Sequence, residues 1–115
     1  MISVALCTYN GEKYLSKQLD SILSQTMSVN EIVICDDIST DSTFKILKKY
    51  EKKYRGIFKI FKNDIRLSTI KNFQKAISLC SGDYIFLCDQ DDVWKVDKVN
   101  KMIDFFKTNE KFKIN

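Results

Sequence analysis

Apolar residues fall into four short runs separated by longer amphipathic stretches. Ile2 to Cys7 and Glu31 to Asp36 are β-branched apolar runs, each followed by polar residues. Tyr84 to Cys88 is apolar throughout, which predicts a strand buried on both faces. Ile57 to Phe61 alternates and predicts a half-exposed edge strand. The intervening segments carry helical stripes: Leu15, Leu19, Ile22 and Leu23 in the first, Phe44, Leu47 and Tyr50 in the second. Ile70, Phe73, Ile77 and Cys80 stripe the third, and Val96, Val99, Ile103 and Phe106 the fourth. Ser68 and the Ser39-Thr40-Asp41 group are candidate N-caps, and Gly82 reads as the stop signal of the third helix.

Four successive βα units predict an α/β fold, a Rossmann-like doubly wound and mainly parallel sheet with right-handed crossovers. The 115 residues are expected to form one domain, 1–115, without linker, repeat or low-complexity tract. In such a sheet the strand–helix joints share one rim, where open α/β sheets bind ligands. The joints are Thr8-Tyr9-Asn10-Gly11-Glu12, Asp36-Asp37, Asn63-Asp64 and Asp89-Gln90-Asp91-Asp92.

The last joint places three carboxylates within four residues. Each like-charged pair at contact costs roughly 4 kcal/mol at an effective dielectric near 20. A hard divalent cation relieves that repulsion. The plainer alternative is an acidic turn capping the next helix, but a position directly behind an apolar strand favours the cation. Tyr9 sits where its ring can stack on a planar base, although a tyrosine at a strand end is more often packed than ligand-bound. Either Asp36 or Asp37 can accept a hydrogen bond from a base imide or ribose hydroxyl, while the other caps the helix starting near Ser39. Trp94 reads equally as a core anchor or a sugar platform. Neither GxGxxG nor GxxxxGK[ST] occurs, and only Gly11, Gly56 and Gly82 are present. A nucleotide diphosphate would therefore have to be held through a carboxylate-bound metal.

Composition narrows the chemistry. Histidine is absent, which excludes a Ser-His-Asp triad, His-ligated zinc and His general acid/base catalysis. The net charge of +4 comes largely from Lys45, Lys48, Lys49, Lys52, Lys53 and Arg55. With no base-stacking platform beside it, that run reads as a solvated helix face, and no nucleic-acid partner is expected. Cys7, Cys35, Cys80 and Cys88 lack metal spacing and read as buried free thiols in a reducing compartment. The first apolar run is too short for a signal peptide, and no stretch approaches the ~20 apolar residues of a membrane span. A cytoplasmic location is expected.

Three segments, in order, resemble family 2 glycosyltransferases: Ser3-Val4-Ala5-Leu6-Cys7-Thr8-Tyr9-Asn10-Gly11, Ile32-Val33-Ile34-Cys35-Asp36-Asp37-Ile38-Ser39-Thr40-Asp41, and Ser81-Gly82-Asp83-Tyr84-Ile85 leading into Asp89-Gln90-Asp91-Asp92. The resemblance runs from about Ile2 to Lys98, and the ending through Val93-Trp94 is similar to a rhamnosyltransferase-like subgroup. It implies a GT-A fold and inverting transfer of sugar from a UDP- or dTDP-linked donor to a saccharide or lipid-linked acceptor in cell-surface polysaccharide synthesis. By position it implies Thr8, Tyr9 and Glu12 as nucleotide contacts, and Asp36 as the carboxylate reading the base with Asp37 beside it. Asp89, Asp91 and Asp92 match the DxD-type motif for ribose and Mn²⁺ or Mg²⁺, with Asp91 the leading metal ligand. Lys71 lies where the family often has an arginine near the nucleotide. Work at the inner face of the membrane implies peripheral membrane contact.

Two departures qualify the resemblance. Where many members have a glycine before the third helix, this chain reads Asn63-Asp64-Ile65-Arg66-Leu67-Ser68, so a differently shaped loop is expected. The family's catalytic base lies in the acceptor-binding half and is expected beyond Asn115, leaving the catalytic residue unassigned. The chain is thus expected to be the N-terminal nucleotide-sugar-binding portion, incomplete for catalysis. The alternative is a non-catalytic nucleotide-binding or interaction module. The fourth strand expects a further neighbour, so an exposed edge and self-association are anticipated. A receiver-type phosphoacceptor domain would place its acidic pair after the first strand, and a sugar nucleotidyltransferase needs a glycine- and arginine-rich first loop. Neither pattern is present.

Overall fold

The computed structural model describes residues 1–109; the expected domain boundary at Asn115 lies outside them. Strand and helix alternate throughout: β1 (Ile2–Thr8), α1 (Leu15–Leu23), β2 (Glu31–Asp36), α2 (Thr43–Lys53), β3 (Phe58–Lys62), α3 (Ser68–Ser78), β4 (Tyr84–Cys88) and α4 (Lys98–Thr108). All pairings are parallel and the strand order is β3-β2-β1-β4. This is the doubly wound α/β sheet expected from the four runs.

The order explains the layers. Right-handed crossovers from β1 to β2 to β3 walk one way and lay α1 and α2 on one face. The step from β3 back across to β4 reverses direction and lays α3 on the other. Alternating strand residues follow suit. Val4, Leu6, Ile32, Ile34 and Phe86 join Leu15, Leu19, Ile22, Leu47, Val99 and Ile103 in the larger core. Ala5, Val33 and Cys35 meet Ala76 of α3 in the smaller one. Trp94 belongs to the larger core, its ring 6.0 Å from Phe86, so it is an anchor.

Several sequence expectations are corrected here. β4 is not buried on both faces: Ile85 and Leu87 are 39% and 50% exposed. They register with Ser3 and Ala5, on the α3 side of the sheet, but α3 packs on β1 and β2 and leaves β4 uncovered. Among the described residues β4 pairs only with β1, so it is an exposed edge there, as its apolar face had implied. β3 is the other, half-exposed edge. In α3 the buried residues are Asn72 and Ala76, while Ile70 is 75% exposed. Asn72 can be buried because its amide donates to the Cys35 carbonyl at 2.9 Å. In α4 only Val99 and Ile103 of the expected stripe are buried. Ser68 does not cap α3 through its side chain. Asp41 does serve α2, accepting the Thr43 N–H at 2.9 Å.

Gly82 is not the stop of the third helix, which ends at Ser78 with Leu79 as its C-cap; it sits in the turn before β4. A Cβ there would lie 2.5 Å from Ser3 Oγ and 2.8 Å from the Met1 carbonyl oxygen, so glycine lets this turn press against β1. The opposite rim of the sheet from the joints is tied by Glu31. Its buried carboxylate accepts from Ser3 Oγ, from the Ser81 N–H and from Lys59 Nζ at 2.7 Å. No helix of the described residues is long and apolar enough to cross a membrane.

Candidate functional site

Because the chain leaves β1 toward β2 on one side and reaches β4 on the other, the connections diverge between β1 and β4. That point of an open α/β sheet is a natural crevice. A cleft of about 530 Å³ opens there. Cys7, Thr8 and Tyr9 at the end of β1 form one wall, with Asp37 behind β2. Arg66, Ser68 and Thr69, with Asn72 and Phe73 of α3, form the next, and Asp89 and Gln90 behind β4 close the far side.

Each of the four βα joints contains one non-glycine residue in the left-handed region: Asn10 (φ 49°), Ile38 (61°), Ser68 (66°) and Asp91 (57°). Such backbone persists only when surrounding bonds hold it, and it clusters at functional sites. Here the bonds are explicit. Asn10 accepts from the Thr40 N–H at 2.7 Å and gives its own N–H to Ser39 Oγ at 2.9 Å. Glu12 accepts from the Ser42 N–H at 3.0 Å. The first two joints are thereby zipped together, and Glu12 serves α2 without lining the cleft.

The adjacent aspartates divide their work. Asp36 is fully buried; Thr8 Oγ1 donates to its Oδ1 at 2.7 Å, and the Ser39 hydroxyl and N–H occupy it further. Asp37 is the one of the pair that faces the cleft. Its Oδ1 accepts from Asn63 Nδ2 at 3.1 Å and the Leu67 N–H at 2.8 Å. Its Oδ2 accepts from Arg66 Nε at 3.1 Å and the Ser68 N–H at 3.0 Å. Burial alone would raise this carboxyl, but the donors from Leu67, Asn63, Arg66 and Ser68 outweigh it and hold it below the usual range. Asp37 is therefore ionised at neutral pH.

Arg66 also lies over Tyr9, its guanidinium carbon 3.7 Å from the ring centre. Cys7, at the cleft wall, is pushed up to about 12 by burial, then by Cys35 and Asp37. It stays a neutral thiol, an apolar surface and no nucleophile. All four cysteines are free.

The acidic turn is anchored by its backbone: buried Gln18 donates to the Asp89 carbonyl at 2.5 Å, and the Asp92 N–H to the same oxygen at 3.1 Å. Asp89 lines the cleft, and Asp92 faces a neighbouring depression with Trp94 and Lys98. The carboxylate donor set suits a hard cation. Among the described residues no three metal-ligating side chains are gathered around one point. Lys71 lies outside the cleft, along a groove on the β3–α3 loop.

Sequence reasoning missed Arg66, Ser68, Asn72 and Phe73 as cleft residues. The signal available for Arg66 was its place in a βα joint, the same argument applied to Tyr9 and Asp37. Nothing in the helical periodicity marks Asn72, which reads as a solvent-side residue.

Glycosyl transferase family 2 matches residues 3–112 of the chain. The chain belongs to that family. Among relatives of this family 2 chain, the dTDP-rhamnosyl transferase RfbG of Shigella flexneri is 38% identical over 103 residues, covering 86% of this chain and 36% of RfbG. The structure of residues 1–349 of Staphylococcus aureus TarS in complex with UDP-GlcNAc superposes with a TM-score of 0.84 at 26% identity, covering 95% of this chain and 32% of that chain. A mannosyltransferase of Pyrobaculum calidifontis in complex with GDP-Man and Mn²⁺ gives a TM-score of 0.83 at 20% identity, covering 91% of this chain and 32% of that one. At that identity the likeness is one of fold. The family 2 chain spans about a third of the length of RfbG and of these two solved chains.

Proposed function

We propose that this chain is the N-terminal donor-binding portion of a GT-A glycosyltransferase, and that the cleft holds the nucleoside diphosphate of a UDP- or dTDP-linked sugar. The observation that carries the reading is the cleft itself. A stacking ring (Tyr9) and an ionised carboxylate (Asp37) stand at one side, and a carboxylate-rich turn stands at the other, all at the divergence of β1 and β4. The base stacks on Tyr9 and gives its imide N–H to Asp37. Asp36, Thr8 and Glu12 act by holding the first two joints in shape, and Lys71 approaches the phosphates only from outside.

Asp89 and Asp91 of the DxD-type turn, with Asp92 beside them, would hold Mg²⁺ or Mn²⁺. Cations of this kind commonly take one or two carboxylates plus substrate phosphates. When bound, the cation supplies neutralisation of the departing diphosphate. The turn's part is positional, since Gln18 fixes its first carbonyl and so directs Asp89 toward the cleft.

The reaction served is inverting transfer to an acceptor hydroxyl of a saccharide or lipid-linked acceptor in cell-surface polysaccharide synthesis. The relatives' dTDP-rhamnosyl and UDP-GlcNAc chemistry supports this class of donor. A cytoplasmic protein touching the inner membrane face fits such acceptors. The open β4 edge suits self-association.

Calorimetric titration with UDP and dTDP, in Mn²⁺ and in EDTA, tests the reading. Saturable binding that weakens in EDTA is expected. Tyr9→Ala should weaken it by roughly 1–3 kcal/mol on the scale of base–aromatic stacking. Absence of binding by either nucleotide with metal present would sink the proposal.

A further inference from the structure

We propose that Arg66 is an internal stand-in for the nucleobase, occupying the base seat of the free chain and yielding it when a nucleotide enters. The inference rests on the nucleotide reading of the cleft. A guanidinium is planar, donates N–H and stacks on aromatic faces. Arg66 uses all three properties at once: its carbon lies 3.7 Å above the Tyr9 ring centre, and its Nε gives a hydrogen bond to Asp37 Oδ2 at 3.1 Å. A planar imide base would make the same two contacts, a stack on Tyr9 and an N–H to Asp37.

The two cannot be made together. Asp37 already accepts four hydrogen bonds, two on each oxygen. Two of the donors are the backbone amides of Leu67 and Ser68, where the β3–α3 joint enters α3, and the third is buried Asn63. Arg66 is the one that can leave, since its side chain is 49% exposed against 5% for Asp37. Its departure frees one lone pair and one ring face together, which is what the base needs. Among the described residues Arg66 is also the only lysine or arginine lining the cleft, so once displaced it remains beside an anionic ligand.

The test uses uncharged and charged probes. Uridine, thymidine and UDP are titrated into the wild-type chain, Arg66→Ala and Arg66→Lys, with circular dichroism confirming the fold. Lysine keeps the charge but loses the planar fork. Both variants should bind the uncharged nucleosides roughly three- to tenfold tighter than wild type, the range an intramolecular cation–π competitor spans. Nucleoside binding that is unchanged or weaker in Arg66→Ala overturns the inference while leaving the nucleotide reading standing. So does unchanged uridine binding with weakened UDP binding, which would make Arg66 a diphosphate ligand. Failure of all three probes to bind all three chains overturns the nucleotide reading and this inference with it.

Discussion

Ser68 gives its backbone N–H to Asp37 Oδ2 at 3.0 Å while holding φ at +66°. The β3–α3 joint from Asn63 to Ser68 contains no glycine, and it keeps a left-handed backbone without one. Left-handed backbone costs a non-glycine residue roughly 1–2 kcal/mol, and the hydrogen bond to Asp37 is what sustains it. Ser68→Gly should therefore raise stability by about 0.5–1 kcal/mol after the added freedom of the unfolded chain is subtracted. Ser68→Val should lower it. Urea midpoints of the two variants provide the check.

The joints and the opposite rim differ in what they are built for. At that opposite rim, burial alone would raise the Glu31 carboxyl, but bonds from Lys59, Ser3 and Ser81 outweigh it and bring it from 4.5 to about 2. A depressed carboxyl contributes stability that is complete above its unfolded value and lost as the pH falls through its folded one. The chain should thus lose stability between about pH 4.5 and 2 through this group. Glu31→Gln should cost about 1–3 kcal/mol at neutral pH and flatten the acid limb of the stability profile. Denaturant unfolding across that range measures both.

Gly82→Ala tests the contact between the α3–β4 turn and β1. The added carbon would meet Ser3 Oγ at 2.5 Å and backbone atoms of Met1 and Ser3 within 2.9 Å. Overpacking of that kind costs roughly 1–3 kcal/mol. Thermal unfolding should show a lowered midpoint. A second change, Ser3→Ala, should recover only part of the loss, because the backbone contacts remain.

Asp91→Asn should remove the metal-dependent part of nucleotide binding and leave the fold intact, because Asp91 is exposed and none of the hydrogen bonds holding the turn uses its side chain. Titration with UDP in Mn²⁺ and in EDTA should give nearly equal affinities for the variant. A full metal effect in Asp91→Asn would remove Asp91 as leading ligand.

Much of this architecture is legible in the residues. Four apolar runs separated by helical stripes give the strand and helix order, and parallel crossovers put Tyr9, Asp37 and Asp89 on one rim. Coverage is what periodicity does not report. Ile85 and Leu87 are as apolar as any buried strand residue, but whether a helix lies over them depends on where α3 crosses. The identity of the cleft-facing aspartate is likewise hidden, because Asp36 and Asp37 differ only in which way the chain turns after β2. The place of Arg66 in a βα joint was legible, but its contacts with Tyr9 and Asp37 were not, because they depend on the reach of a long side chain across two loops.

The central claim is that one cleft, between β1 and β4, binds the nucleotide. Amide chemical-shift mapping during titration with UDP and dTDP in Mg²⁺ tests it most directly. The largest shifts should fall at Thr8, Tyr9, Asp37, Ser68, Thr69, Asp89 and Gln90. Shifts confined instead to the groove beside β4 and α4, around Leu87, Met102 and Phe106, or no shifts with either nucleotide, would contradict the account.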